Sequence, residues 1–391
     1  MSDAPGRLLR LFVRLAALPI IFAVVLIMKF AYRDRAIRIV VMDPRLFGHQ
    51  SLEPEVFWDD WQSSLESGSR DVWFCCMGKK SAASNQYLWK HTRNHFPTIP
   101  SWFVTSISYW KERFEFSNLQ LLDASIYRLG FLTQRATTLP LTTSILDRRR
   151  EILSRLANPS RPYVVFTVRE SSGLKDEVEL RNRKIAEFLP AMDALIERGF
   201  NVVRLMSHTR DPLGLRSEHI LDWQVLVNGE PGDELAIVSG AAFVVSTTTG
   251  GDCLALAYRR PVLYIDSARP YLVFLATELA TFQVPRIEDR QTSCALTLAE
   301  LLERGLGWSG EQQLFDDAGV RVVNSTPDEI RHYVVEYFAS RNWHDVDSAD
   351  EDERNWRDLL IKYHGAEILK RHGPIRARLH PASRRLLLSS P

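Results

Sequence analysis

Short, nearly uninterrupted apolar runs at regular intervals constrain this chain more than any other feature. In the second half they are Tyr163–Val168 (YVVFTV), Asn201–Met206 (NVVRLM), Ala242–Ser246 (AFVVS) and Pro261–Asp266 (PVLYID). Each is too short for a helix and rich in β-branched residues, as strands buried on both faces require. Helical stretches separate them: Arg183–Arg198 closed by Gly199, Asp233–Gly240, and Asp252–Tyr258. Strands alternating with helices predict an α/β fold with parallel sheets. Further on the pattern predicts a helix near Tyr271–Thr281, a strand at Val320–Val323, and a helix opened by Ser325-Thr326-Pro327-Asp328-Glu329. That opening combines a capping hydroxyl, a first-turn proline and acids on the positive dipole end. In the first half it predicts strands at Ile37–Met42, Val72–Met77 and Trp102–Thr105, with helices near Pro54–Leu65 and Asn85–His95. Residues 106–157 read as mainly helical. A chain of 391 residues exceeds one ordinary domain, and the two prolines of Asn158-Pro159-Ser160-Arg161-Pro162 mark the expected junction.

Charge is distributed unevenly. Residues 1–38 carry +5 and residues 370–391 carry +6, so an overall +1 leaves −10 on the body between them. Basic ends on an acidic body suit an anionic membrane surface and argue against nucleic acid as a partner. Leu15–Met28 is strongly apolar and spans roughly 21 Å as a helix, short of the roughly 30 Å hydrocarbon core. Extended to residues 8–31 it reaches about 36 Å and takes in Arg10, Arg14 and Lys29, which can snorkel from the ends. A cleaved signal peptide is one reading, but KFAYRDRA after Met28 offers no small-x-small site. A buried soluble helix is another, but it needs no basic residues on both sides. An uncleaved anchor, spanning or half-inserted, fits best. Cys75, Cys76, Cys253 and Cys294 form neither a C-x-x-C pair nor a zinc quartet, and they read as reduced thiols.

Four segments carry candidate chemistry. Ser246-Thr247-Thr248-Thr249-Gly250-Gly251-Asp252 lies between a strand and a helix. Its hydroxyls, glycines and helix N-terminus suit a phosphate or diphosphate, and a plain polar turn capped by Thr or Asp is the alternative. Arg169 follows strand Tyr163–Val168 directly, where ligands of open parallel sheets bind, and its planar fork suits phosphate or carboxylate. An ordinary surface pair with Glu170 is the competing reading. His49, beside Gly48 in the expected loop after the first strand, is a candidate general base or plain surface. Asp345-Val346-Asp347 and Asp350-Glu351-Asp352 match the D-x-D pattern of metal-dependent sugar transferases. No strand precedes them, so they read as a solvated acidic loop and no metal site is assigned.

Taken in order, several of these segments resemble a family of bacterial glycosyltransferases. They are Arg45…Gly48-His49 with Glu53-Pro54-Glu55, Val168-Arg169-Glu170, Arg181-Asn182 leading into residues 188–205, residues 239–266, and Asn324–Ile330. The resemblance covers roughly residues 37–340 and departs from the usual pattern at Glu170, Phe47 and Ser207-His208. It implies a GT-B-like architecture of two Rossmann-type lobes facing a cleft. The parts are then an anchor at 1–36, an acceptor-side lobe at 37–157, a donor-side lobe at 158–340, and an acidic loop, helix and basic tail at 341–391. Arg169, the 246–251 turn, Arg204, Arg181 and Asn182 would hold a nucleotide-sugar donor, and His49 would deprotonate an acceptor. The implied activity is metal-independent transfer from a nucleotide-sugar co-substrate, with no other cofactor, to an envelope or lipid-linked glycan. The anchor would hold the protein at the bacterial inner membrane with its catalytic body in the cytoplasm. A GT-B-type sugar-nucleotide epimerase and a non-catalytic scaffold of polysaccharide synthesis are the alternatives.

Overall fold

A computed structural model describes residues 30–42, 45, 47–78, 80–101, 103–104, 119–123, 138–170, 180–205, 213, 217–222, 229–230, 232–267, 277–306, 312–339, 351–372 and 375–388, with 19, 22–23 and 26–27. The chain divides into two compact units, residues 1–125 and 126–391.

The first unit is built on β1 (Ile37–Val41), α1 (Phe47–Glu66), β2 (Val72–Cys76), α2 (Gln86–His95) and β3 (Leu119–Asp123). These strands run parallel in the order β2-β1-β3. Alternation in IRIVV sends Ile37 and Ile39 into a core with Cys76, Val104 and Leu119. Arg38 points the other way, pairs with Asp71 at 2.8 Å and lies over the Trp73 ring. Two expectations change here. The loop holding Gly48 and His49 is instead the first turn of α1, because Pro54 stands inside that helix rather than at its start. Strand β3 lies in a stretch expected to be helical, while Phe103 and Val104 are helical where a strand was expected.

The second unit contains α3 (Thr143–Leu153), β4 (Tyr163–Thr167), α4 (Leu189–Glu197), β5 (Asn201–Arg204), β6 (Ile220–Asp222), α5 (Asp233–Val238), β7 (Phe243–Ser246), α6 (Gly250–Ala257) and β8 (Val262–Tyr264). There follow β9 (Ala280–Phe282), β10 (Arg286–Asp289), α7 (Leu298–Glu303), α8 (Gln312–Asp317), β11 (Val320–Val323), α9 (Pro327–Ala339), α10 (Glu351–His372), β12 (Arg378–Leu379) and α11 (Pro381–Leu388). Among the described residues, seven strands form a sheet in the order β12-β9-β8-β7-β4-β5-β6, with every pairing parallel. Strands β4, β5 and β7 are buried along their whole length. Their side chains pack with α4 and α9 through Phe166, Phe188, Met192, Leu195, Val334 and Tyr337. The strand expected at Val320–Val323 is present, paired antiparallel with β10 outside the main sheet.

The expected junction at 158–162 lies inside this unit, pinned between α3 and β4. The Ala157 N–H donates to the Glu218 carbonyl, and the Asn201 N–H to that of Pro162. Helix α3 belongs to the same unit because Arg148 forks onto Asp233 at 2.6 and 2.9 Å, while Arg149 donates to the Ala236 carbonyl at 2.6 Å. The basic tail is likewise built in. Strand β12 extends the sheet beside β9, His380 is fully buried, and Arg384 pairs with Glu353 at 2.6 Å. Among the described residues no helix is long and apolar enough to cross a membrane. The membrane segment expected at 8–31 lies largely outside them; its described positions are helical, with Ile27 and Phe30 exposed. The Tyr271–Thr281 helix lies mostly outside them too, and its end is strand β9.

Candidate functional site at the carboxyl ends of β4 and β7

The chain leaves β4 toward β5 and β6, then returns to place β7 on the other side of β4. From there it builds outward to β8, β9 and β12. Strand order therefore reverses between β4 and β7, and ligands of open α/β sheets bind outside the strands' carboxyl ends at such a point. In-register pairing brings Thr167, the last residue of β4, opposite Ser246, the last of β7. The segments just beyond are Val168-Arg169-Glu170 and Thr247–Gly251, so both phosphate candidates emerge at the reversal.

Hydrogen bonds lace the two segments together. The Arg169 N–H donates to Thr247 Oγ1 at 2.8 Å, the Thr247 N–H donates to the Thr167 carbonyl, and the Arg169 carbonyl accepts from the Arg183 N–H at 2.8 Å. Ser246 Oγ accepts from the N–H groups of Thr248 and Thr249 at 3.1 and 3.3 Å. Thr249 caps α6, its Oγ1 accepting from the Gly251 N–H. Thr248 adopts a left-handed backbone, φ +65°, which is rare for a β-branched residue.

This geometry divides the hydroxyl run in two. Ser246 and Thr247 are buried and serve the turn itself. Thr248, Thr249 and Gly250 are partly exposed at the start of α6, where the helix dipole favours an anion. Much of the backbone expected to be open to a ligand is instead satisfied locally by Ser246 and Thr249.

In structure the chain is similar to the ADP-heptose lps heptosyltransferase II of E. coli, at 10% identity and a TM-score of 0.39 over 58% of this chain and 84% of that one. It is similar to a glycosyl transferase family 9 protein from Veillonella parvula, at 9% identity and a TM-score of 0.37 over 59% and 80%. A third is E. coli heptosyltransferase WaaC with ADP, at 13% identity and a TM-score of 0.33 over 60% and 89%. No protein-family model matches the sequence, and no curated protein matches it.

The remaining candidates take different places. Arg204 was expected to face the donor, but it is 1% exposed. Its guanidinium is engaged by Glu170 at 2.7 Å and by Asp222 at 3.1 Å. Those neighbouring carboxylates hold it in the sheet, where it anchors Glu170, whose other oxygen accepts from the Ile185 N–H. The guanidinium therefore fixes the segment carrying Arg169 and has no surface left for a ligand. Glu170 is thus a half-buried anchor, bonded to Arg204 and to the Ile185 amide. Arg181 donates to the Thr248 carbonyl at 3.0 Å and so braces the left-handed bend. Asn182 is half-buried beside it. His49 belongs to the first unit, in the first turn of α1, and its side chain lies outside the described positions. Asp345, Asp347 and Asp350 lie outside the described residues, while Glu351 and Asp352 open α10.

Two features of the site come from the fold. Asp252, fully buried in the first turn of α6, accepts from Ser246 Oγ and from the Cys253 N–H. Burial pushes its carboxyl up to about 7, against the opposing pull of those donors and of the Arg181 charge. Asp252 closes the hydroxyl-rich run and reads in the sequence as a possible cap of the turn; its burial is set by the fold. The second feature is a buried clip of Arg183, Asp266 and Ser325. Arg183 pairs with Asp266 and donates to the Ser325 carbonyl at 2.7 Å, and Ser325 Oγ donates to Asp266 at 2.6 Å. It ties the end of β8 to the start of α9, and sequence spacing gives no sign of it.

Proposed function

We propose that the chain is a glycosyltransferase that binds the diphosphate of a nucleotide-sugar donor at the β4/β7 reversal. One observation carries this reading: Arg169 and the Thr248–Gly250 bend emerge side by side at the point where strand order reverses, joined by the 2.8 Å hydrogen bond from the Arg169 amide to Thr247. A cation, hydroxyl donors and a helix N-terminus meeting there match what a leaving diphosphate requires as charge develops on it. In the transfer step the bond from the anomeric carbon to the diphosphate oxygen breaks, and its electron pair leaves with the diphosphate. The bond from that carbon to the acceptor oxygen forms, and the acceptor's proton passes to a base. His49 is our candidate for that base, and no step is assigned to a metal. The acceptor class is an envelope or lipid-linked glycan, consistent with the apolar, basic 8–31 segment, at a bacterial inner membrane with the catalytic body in the cytoplasm.

Calorimetry with nucleoside diphosphates tests the donor side. Arg169→Ala is expected to weaken binding by about tenfold or more, the weight of one charge-assisted contact; unchanged affinity removes Arg169 from the site. His49→Ala should bind the diphosphate normally and lose transfer, and retained turnover would reassign the base.

A further inference from the structure

Ser246 carries a hydrogen-bond load that its chemistry only just allows. A hydroxyl has one proton to give and two lone pairs. Both lone pairs are used, by the N–H groups of Thr248 and Thr249, so its proton must go elsewhere. Asp252 Oδ2, 3.3 Å away, accepts it. Asp252 Oδ1 accepts the Cys253 N–H at 2.9 Å, so the two carboxyl oxygens serve two different donors.

We propose that Asp252 is a positioning residue for the anion site: by taking the Ser246 proton it orients that hydroxyl to hold the Thr248 and Thr249 amides, and so fixes the left-handed bend that presents Thr248, Thr249 and Gly250. The inference rests on the diphosphate reading of that bend and adds what holds it in shape and how proton binding tunes it. The carboxyl sits near its midpoint at neutral pH because burial raises it to about 7. The titratable and charged groups acting on it are Tyr264 on β8 and Arg181 before α4, with Cys253 on α6 and Tyr337 on α9 acting in turn on Tyr264. A protonated carboxyl still has a lone pair on each oxygen, so both accepted bonds survive neutralisation. An anion bound at the bend disfavours a second negative charge beneath it, so binding draws a proton onto Asp252. Affinity is therefore higher at pH 6 than at pH 8.

The test compares the full-length chain with Asp252→Asn and Ser246→Ala. An asparagine offers one acceptor oxygen for two donors and cannot take up a proton. In ligand-free protein, residue-resolved hydrogen exchange at the Thr248 and Thr249 amides should accelerate by about tenfold or more in Asp252→Asn, with β4 amides unchanged. Should that variant not fold, Ser246→Ala removes the hydroxyl oxygen that accepts both N–H groups and should expose the same amides. Unchanged exchange at both amides overturns the proposal. With ADP, GDP and UDP as probes, Asp252→Asn should bind about tenfold more weakly, and the wild-type advantage should be larger at pH 6 than at pH 8. Equal affinity with an equal pH profile overturns the proposal and leaves the diphosphate site standing. If wild-type protein binds none of the three while both amides accelerate as expected, the diphosphate reading falls and the assignment of Asp252 to the bend stands.

Discussion

Thr248 combines a β-branched side chain with φ +65°, a conformation that costs an L-residue about 1–2 kcal/mol. Strain of this kind persists only where neighbours over-determine it. Here Ser246 holds the Thr248 amide and Arg181 the Thr248 carbonyl. Thr248→Gly should therefore raise unfolding free energy by about 0.5–1 kcal/mol in a denaturant titration. It should also weaken nucleoside diphosphate binding, because a hydroxyl donor is lost. A variant that is both less stable and unaffected in binding would show that the bend is neither strained nor functional. At this scale the sequence was legible where position alone decides a role. Arg169 and the 246–251 turn follow buried strands, so their place at a sheet end could be read directly. Arg204 also ends a strand, but its role depends on Glu170 and Asp222, which reach it from other parts of the sheet. No spacing rule reports such partners.

Elements buried on both faces were read nearly to the residue. Strands β4, β5, β7 and β8 fall within the apolar runs at 163–168, 201–206, 242–246 and 261–266, since full burial leaves a continuous hydrophobic signature. Strands β9 and β12 span three residues and two, too few to carry a period, and they become strands only by pairing with the sheet edge. Helix α1 was misread because a proline usually marks a first turn, and here Pro54 lies inside. Packing of α3 on α5 gives a prediction at this scale. A Cβ at Gly240 would lie 2.5 Å from Tyr163 Oη and 2.6 Å from Arg149 Cζ. Neither neighbour yields readily: Tyr163 Oη donates to the Ile237 carbonyl at 2.7 Å, and Arg149 is held by Ala236 and Ser239. Gly240→Ala should cost about 1–3 kcal/mol of stability by the usual penalty of overpacking. An unshifted unfolding midpoint would mean that this contact relaxes freely.

For the whole molecule, the α/β class with parallel sheets was legible because alternating element types leave few other solutions. The division into units was not. A proline pair resembles a linker, and only the arginine contacts of α3 show that the chain has already entered the second unit by residue 143. The basic C-terminus was similarly read by composition as a tail, although β12 forms the edge of the sheet that carries the site and α11 follows it. Whether that sheet holds a diphosphate at its reversal point is tested most directly by a crystal structure of the full-length chain with a nucleoside diphosphate. The account predicts the terminal phosphate within hydrogen-bonding distance, about 3 Å, of the Thr249 hydroxyl or the Gly250 amide, with the Arg169 guanidinium against it. A nucleotide bound elsewhere on the chain, with the 246–251 bend unoccupied, would contradict it.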